Sequence, residues 1–143
     1  MSQNLIAKAS TTIDAPKDAV WKALTNAAAL KQFMFGSDIT SDWREGSPIT
    51  WKGEWKGRAY EDKGVVLAAQ PGRLLRYSHF SPLAGKPDRP ENYHTVTIEL
   101  RDAGPGTGVT LTQDKNESDE ARGHSEQNWK MMLESLKKYV EAR

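Results

Sequence analysis

Residues 128 to 140, Asn-Trp-Lys-Met-Met-Leu-Glu-Ser-Leu-Lys-Lys-Tyr-Val, repeat their apolar positions every three or four residues. Trp129, Met132, Leu133, Leu136 and Val140 therefore share one face of a helix, with Lys130, Glu134, Lys137 and Glu141 on the other. The stretch before this helix is patterned mostly as β-strands. A single greasy helix after so much sheet must bury its apolar stripe against that sheet, and its most economical partner is a concave sheet face. A helix gripped in this way leaves room for a cavity between the two, which is where function is expected.

Composition narrows the options. A chain of 143 residues can bury one core without staples, so a single domain over residues 1–143 is expected. Twenty Lys and Arg against nineteen Asp and Glu give a net charge of +1, spread with no basic block. Nucleic acid is therefore not an expected partner. No apolar run approaches the ~20 residues that span a bilayer, and Met1-Ser2-Gln3-Asn4 leads into no secretion signal. No membrane insertion is expected, and the absence of cysteine fits a cytoplasmic location.

Strands are expected at Leu5 to Ile13, Ile39 to Trp43, Ile49 to Glu54, Arg58 to Ala69, Leu74 to Phe80, Tyr93 to Arg101 and Val109 to Asp114. Pro16 opens a first short helix carrying Val20, Trp21 and Leu24. Asn26 caps a second with Leu30, Phe33 and Met34, which Gly36 ends. Short turn segments between the strands predict an antiparallel meander. Ser81 to Asn92, with three prolines, is the longer break and a candidate lid. Gly53 and Gly57 mark either a hairpin turn or a bulge.

Alternation assigns faces. His94, Val96, Ile98 and Leu100 share one side of the sixth strand; Val109, Leu111 and Gln113 do so in the seventh, and Leu75, Tyr77 and His79 in the fifth. Three strands thus end in a polar residue, His79, His94 or Gln113, on the apolar side. Arg76 and Arg101 are expected to face solvent. The charged run Asp114 to Arg122 reads as a solvated lead-in to the last helix, with Ser118 as its cap.

Several residues carry a resemblance: Ile13-Asp14-Ala15-Pro16 followed by Val20-Trp21, Gly46-Ser47-Pro48 before a Trp-rich hairpin, and a terminal helix with Trp129, Leu133, Leu136, Lys137 and Tyr139. Over essentially its whole length the chain resembles the START/Bet v 1-like superfamily, also called SRPBCC. Within it the chain is most similar to the branch named for the activator of the heat-shock-protein-90 ATPase. The resemblance implies an α+β helix-grip fold: seven curved antiparallel strands around a long C-terminal helix, with two short helices between strands 1 and 2. It also implies a cavity that in relatives takes lipids, sterols or polyketides. Many relatives carry glycine just before the helix tryptophan; here the residue is Asn128, so their pocket volume does not carry over.

The expected function is binding of a mostly apolar small molecule between sheet and helix, without a cofactor. The ligand-binding set is Phe33, Trp43, Trp51, Trp55, Tyr77 and His79, together with His94, Gln113, Trp129, Met132 and Leu133. Each has a plainer reading: the aromatics as core filling, the polar groups as partners for one another. No metal-ligand spacing is present, and Gly104-Pro105-Gly106-Thr107-Gly108 joins two strands as a turn rather than a phosphate loop. A second reading is a cyclase- or aromatase-like enzyme using His79 or His94 as acid and base. A third is a co-chaperone partner of a heat-shock ATPase. Eukaryotic members with that activity carry a separate N-terminal domain, for which 143 residues leave no room. A monomer or weak homodimer is expected.

Overall fold

The computed structural model describes residues 5–34, 36–55, 57–82 and 85–142, with the side chain of Trp55 outside that description. Chain order is β1 (Leu5–Ile13), α1 (Lys17–Leu24), α2 (Ala27–Phe33), β2 (Asp38–Ser41), β3 (Pro48–Trp55), β4 (Arg58–Gln70), β5 (Leu74–His79), β6 (His94–Ala103), β7 (Gly106–Asn116) and α3 (Asp119–Glu141). The seven strands form one antiparallel sheet in the order β1-β7-β6-β5-β4-β3-β2. The helix-grip architecture expected from the sequence is the one observed.

Strands β2 to β7 run as the expected meander, but β1 pairs with β7, so β1 and β2 lie on opposite edges. The α1–α2 pair therefore has to span the sheet from edge to edge. Asn26 caps α2 by accepting from the Ala29 N–H at 3.0 Å, and Gly36, at φ +88°, follows its end.

Strand ends differ from the sequence reading in instructive ways. β2 stops at Ser41, whose hydroxyl accepts from the Trp43 N–H at 3.0 Å, and Trp43 itself adopts φ +56°. The β6–β7 hairpin is tighter than expected, pairing Ala103 with Gly106 across Gly104-Pro105. Gly104 supplies the positive φ of +66° that the first loop position of such a turn requires. At its other end β7 continues to Asn116, so the charged run begins in a strand, and α3 starts at Asp119 behind the Ser118 cap. Gly57, at φ +78°, belongs to the β3–β4 hairpin turn. Gly53 instead lies within β3 opposite Tyr60, whose ring covers it so closely that a Cβ would fall 2.7 Å from the hydroxyl oxygen.

The predicted inward faces are the buried ones. Leu75, Tyr77, Val96, Ile98, Leu100, Val109 and Leu111 meet Met132, Leu133, Leu136 and Val140 of α3 in one core with Val20, Leu24, Leu30 and Phe33. Each buried Leu or Val contributes about 1.5–3 kcal/mol of apolar transfer. α3 also serves the free edge of β1: Glu126 accepts from the Lys8 N–H at 3.1 Å, Glu141 accepts from the Asp14 N–H at 2.8 Å, and Lys137 donates to the Thr12 carbonyl at 2.6 Å. These bonds satisfy edge groups that would otherwise invite another strand.

Candidate functional site

The interior between sheet and helices is nearly filled. Phe33, Trp43, Trp51, Ile49 and Met132 close around a residual void of about 20 Å³. The larger space lies beyond Tyr77, toward the ends of β5, β6 and β7. There a pocket of about 260 Å³ is lined by Met34, Ser37, Trp51, Tyr60, Asp62, Tyr77, His79, His94, Val96, Gln113 and Trp129.

Strand register assembles it. His79 pairs with His94 and Val96 with Gln113, so the three polar strand ends anticipated from alternation meet at one corner. The imidazole rings stand 6.5 Å apart, centre to centre. Trp51 packs edge-on to His79 at 4.8 Å and tilted to Tyr77 at 5.3 Å. Across the pocket, the Trp129 indole N–H donates to the Gln113 side-chain oxygen at 2.6 Å, which ties α3 to β7 and fixes the amide's orientation. The α2–β2 connection closes the remaining side through Ser37, whose hydroxyl lies 2.8 Å from that of Tyr60.

In the neutral rings, the hydrogen bonds fix which nitrogen of each histidine carries the proton. His79 Nε2 lies 2.9 Å from Asp62 Oδ2, and a carboxylate only accepts, so Nε2 donates and Nδ1 keeps its lone pair. His94 Nδ1 lies 2.9 Å from the Asp114 carbonyl and donates to it, leaving the lone pair on Nε2. With its proton directed there, Nδ1 offers no lone pair to the Gln113 amide nitrogen 3.4 Å away. Asp62 Oδ1 is buried with no hydrogen-bond partner among the described residues. Burial pushes the Tyr77 phenol well above its ordinary value of 10.0, so it stays protonated and able to donate.

Of the residues singled out from sequence, Trp51, Tyr77, His79, His94, Gln113 and Trp129 come together on this pocket. Phe33 and Trp43 line the small inner void instead, and Met132 lines that void and an outer hollow of about 220 Å³ on the rim side of Trp129. Leu133 is 1% exposed and belongs to the packed core. The side chain of Trp55 lies outside the described residues. Asn128 is exposed and lines the outer hollow, not the pocket. Sequence reasoning missed Asp62, Tyr60, Ser37, Met34 and Val96 as pocket lining. A polar cleft of about 310 Å³ lies against the other side of His79, His94 and Gln113, bordered by Lys86, Glu91 and Glu117.

Among the described residues no His, Asp and Glu group is arranged to hold a metal ion, and no helix is long and apolar enough to cross a membrane. Residues 14–141 match the family described as Activator of Hsp90 ATPase homolog 1-like protein. A protein of Cytophaga hutchinsonii with a known solution structure is 56% identical, the match covering 99% of this chain and 97% of that one with a TM-score of 0.87. The Aha1 dimer from Colwellia psychrerythraea is 22% identical over 95% of this chain and 96% of its own, TM-score 0.73. A crystal structure from Nitrosomonas europaea is 19% identical over 96% and 95%, TM-score 0.77. At those two identities the likeness is one of fold. No curated protein matches the chain. With the family pattern spanning all but the first thirteen and the last two residues, the chain belongs to the Activator of Hsp90 ATPase homolog 1-like family, within the START-like SRPBCC superfamily.

Proposed function

We propose that the protein binds a small molecule in the pocket between the β3–β7 wall and Trp129. The observation that carries this reading is the contrast in filling. The apolar centre around Phe33, Trp43 and Met132 closes to about 20 Å³, whereas about 260 Å³ remains where aromatic side chains and under-used polar groups converge. Such a mixture suits a mostly apolar ligand, bound by burial at ~25 cal/mol per Å² and oriented by a few polar contacts. The absence of cysteine suits a reducing compartment, so this role is assigned to the cytoplasm, in a monomer or weak homodimer. Trp51 and Trp129 border the pocket and report on it directly. Titration with fatty acids, sterols and polycyclic aromatics is expected to give saturable quenching of tryptophan fluorescence that Trp129→Phe diminishes. No response across that panel, with no small molecule retained in native mass spectrometry, would remove the reading.

One observation favours a second reading, proton-transfer catalysis. Asp62 orients His79 so that an imidazole lone pair is available beside an apolar wall, the arrangement a general base requires. His79→Ala would then abolish turnover of an enolisable ligand while leaving its binding within a few-fold of the parent.

A further inference from the structure

We infer that the ligand carries a primary or secondary ammonium group at the Asp62 end of the pocket. This deepens the small-molecule reading and rests on it. Three features of the lining point to a cation. Asp62 is the one acidic side chain among the described residues of the lining, and none of them bonds its buried Oδ1, while Oδ2 accepts from His79. No Lys or Arg among the described residues lines the pocket or the hollow beyond Trp129, so no resident cation competes for that oxygen. The surrounding faces are aromatic, with Trp51, Tyr60, Tyr77 and Trp129 all bordering the same space. An aromatic face is negative at its centre and attracts a cation, most strongly where water is excluded.

Hydrogen-bond accounting gives the same answer. Trp129 N–H is spent on Gln113 and His79 Nε2–H on Asp62 Oδ2, while Asp62 Oδ1 is a buried acceptor that no described residue satisfies. An unmet buried acceptor is expensive to leave, and at this end of the pocket that acceptor is Asp62 Oδ1. An ammonium brings two or three N–H donors and the matching charge. A carboxylate or phosphate would bring neither and would meet the like charge of Asp62.

The test is a charge series on one apolar body: 4-phenylbutylammonium, 4-phenylbutan-1-ol and 4-phenylbutanoate, titrated into the full chain by calorimetry. The ammonium is expected to bind about tenfold tighter than the alcohol, the margin by which charge-assisted hydrogen bonds exceed neutral ones. The carboxylate is expected to bind weakest. In Asp62→Asn the ammonium should lose its advantage while the alcohol is little changed, so the comparison within one variant stands even if stability shifts. Equal binding of ammonium and alcohol, or preference for the carboxylate, overturns the ammonium inference and leaves small-molecule binding intact. Failure of all three, with no response to the broader apolar panel, overturns both.

Discussion

His79 of β5 reaches back along β4 to hold Asp62 at 2.9 Å, and the two can meet because the residue between them on that strand's inner face is Gly64. At Gly64 the β5 backbone comes so near that a Cβ would fall 1.8 Å from the Ser78 carbonyl oxygen. A backbone contact in the middle of the sheet thus sets the geometry of the pocket's polar corner. It also links the close approach of β4 and β5 to the position of the Asp62 carboxylate.

Gly64→Ala should therefore destabilise the fold by about 3 kcal/mol or more, since neither strand backbone can yield without breaking pairs. Gly123 provides the control. It lies within α3 with open space where its Cβ would stand, so Gly123→Ala should stabilise by about 0.5–1 kcal/mol. Urea unfolding of the two variants should show midpoints moving in opposite directions; equal shifts would mean that the β4–β5 approach is looser than described.

The two histidines should occupy opposite tautomers when neutral. Bonding to Asp62 places the His79 proton on Nε2, whereas the Asp114 carbonyl draws the His94 proton to Nδ1. Long-range nitrogen–proton NMR correlations distinguish the two ring patterns. Finding both rings in the same tautomer would break the hydrogen-bond scheme on which the polar corner is built.

Much of this was written in alternation. Period-two patterning placed His79, His94 and Gln113 on one face, and cross-strand register did the rest by making them neighbours. The same rule reaches Asp62, which shares its face with Tyr60, Gly64 and Val66. Flanked by exposed Glu61 and Lys63, it nonetheless reads as one more solvated charge, and only the inward register sets it apart. Trp43 was misplaced for a different reason: its positive φ lies outside what a β-rich pattern signals, so the chain turns at Ser41. Filling is the least legible property. Whether Phe33, Met132 and Leu133 line a hollow or close it depends on summed side-chain volumes across five elements, which no local pattern encodes.

Trp129→Phe should cost about 1–3 kcal/mol, because the ring's bulk is largely kept while the Gln113 oxygen loses its donor at a half-buried position. Gln113→Leu in the Trp129→Phe background should recover part of that loss by removing the stranded amide. Thermal unfolding of the two single variants and the pair measures the coupling; strict additivity would show that the bond contributes nothing.

The segment Gly85 to Asn92 is held against the sheet by a charged clamp whose pH limits follow from its shifts. Asp88 accepts from the Tyr93 hydroxyl at 2.5 Å and pairs with Lys63. Phe80 stacks on Tyr93 at 5.1 Å. The Lys63 bond, then the Tyr93 bond, hold the Asp88 carboxyl below its ordinary value of 3.8. A depressed carboxyl contributes stability that is present above 3.8 and lost as pH falls through its lowered value. Asp88 in turn raises Lys63 above 10.5 and Tyr93 above 10.0. Raised groups contribute fully below those values and lose the contribution as pH rises through their shifted ones. The clamp should therefore hold throughout the neutral range and open only in strong acid or strong alkali. Hydrogen exchange of residues 85–93 should be flat between about pH 5 and pH 9, after correction for intrinsic rates, and Asp88→Asn should raise it uniformly across that window. A parent protein that already loosens near pH 6 would show that something other than Asp88 governs this segment.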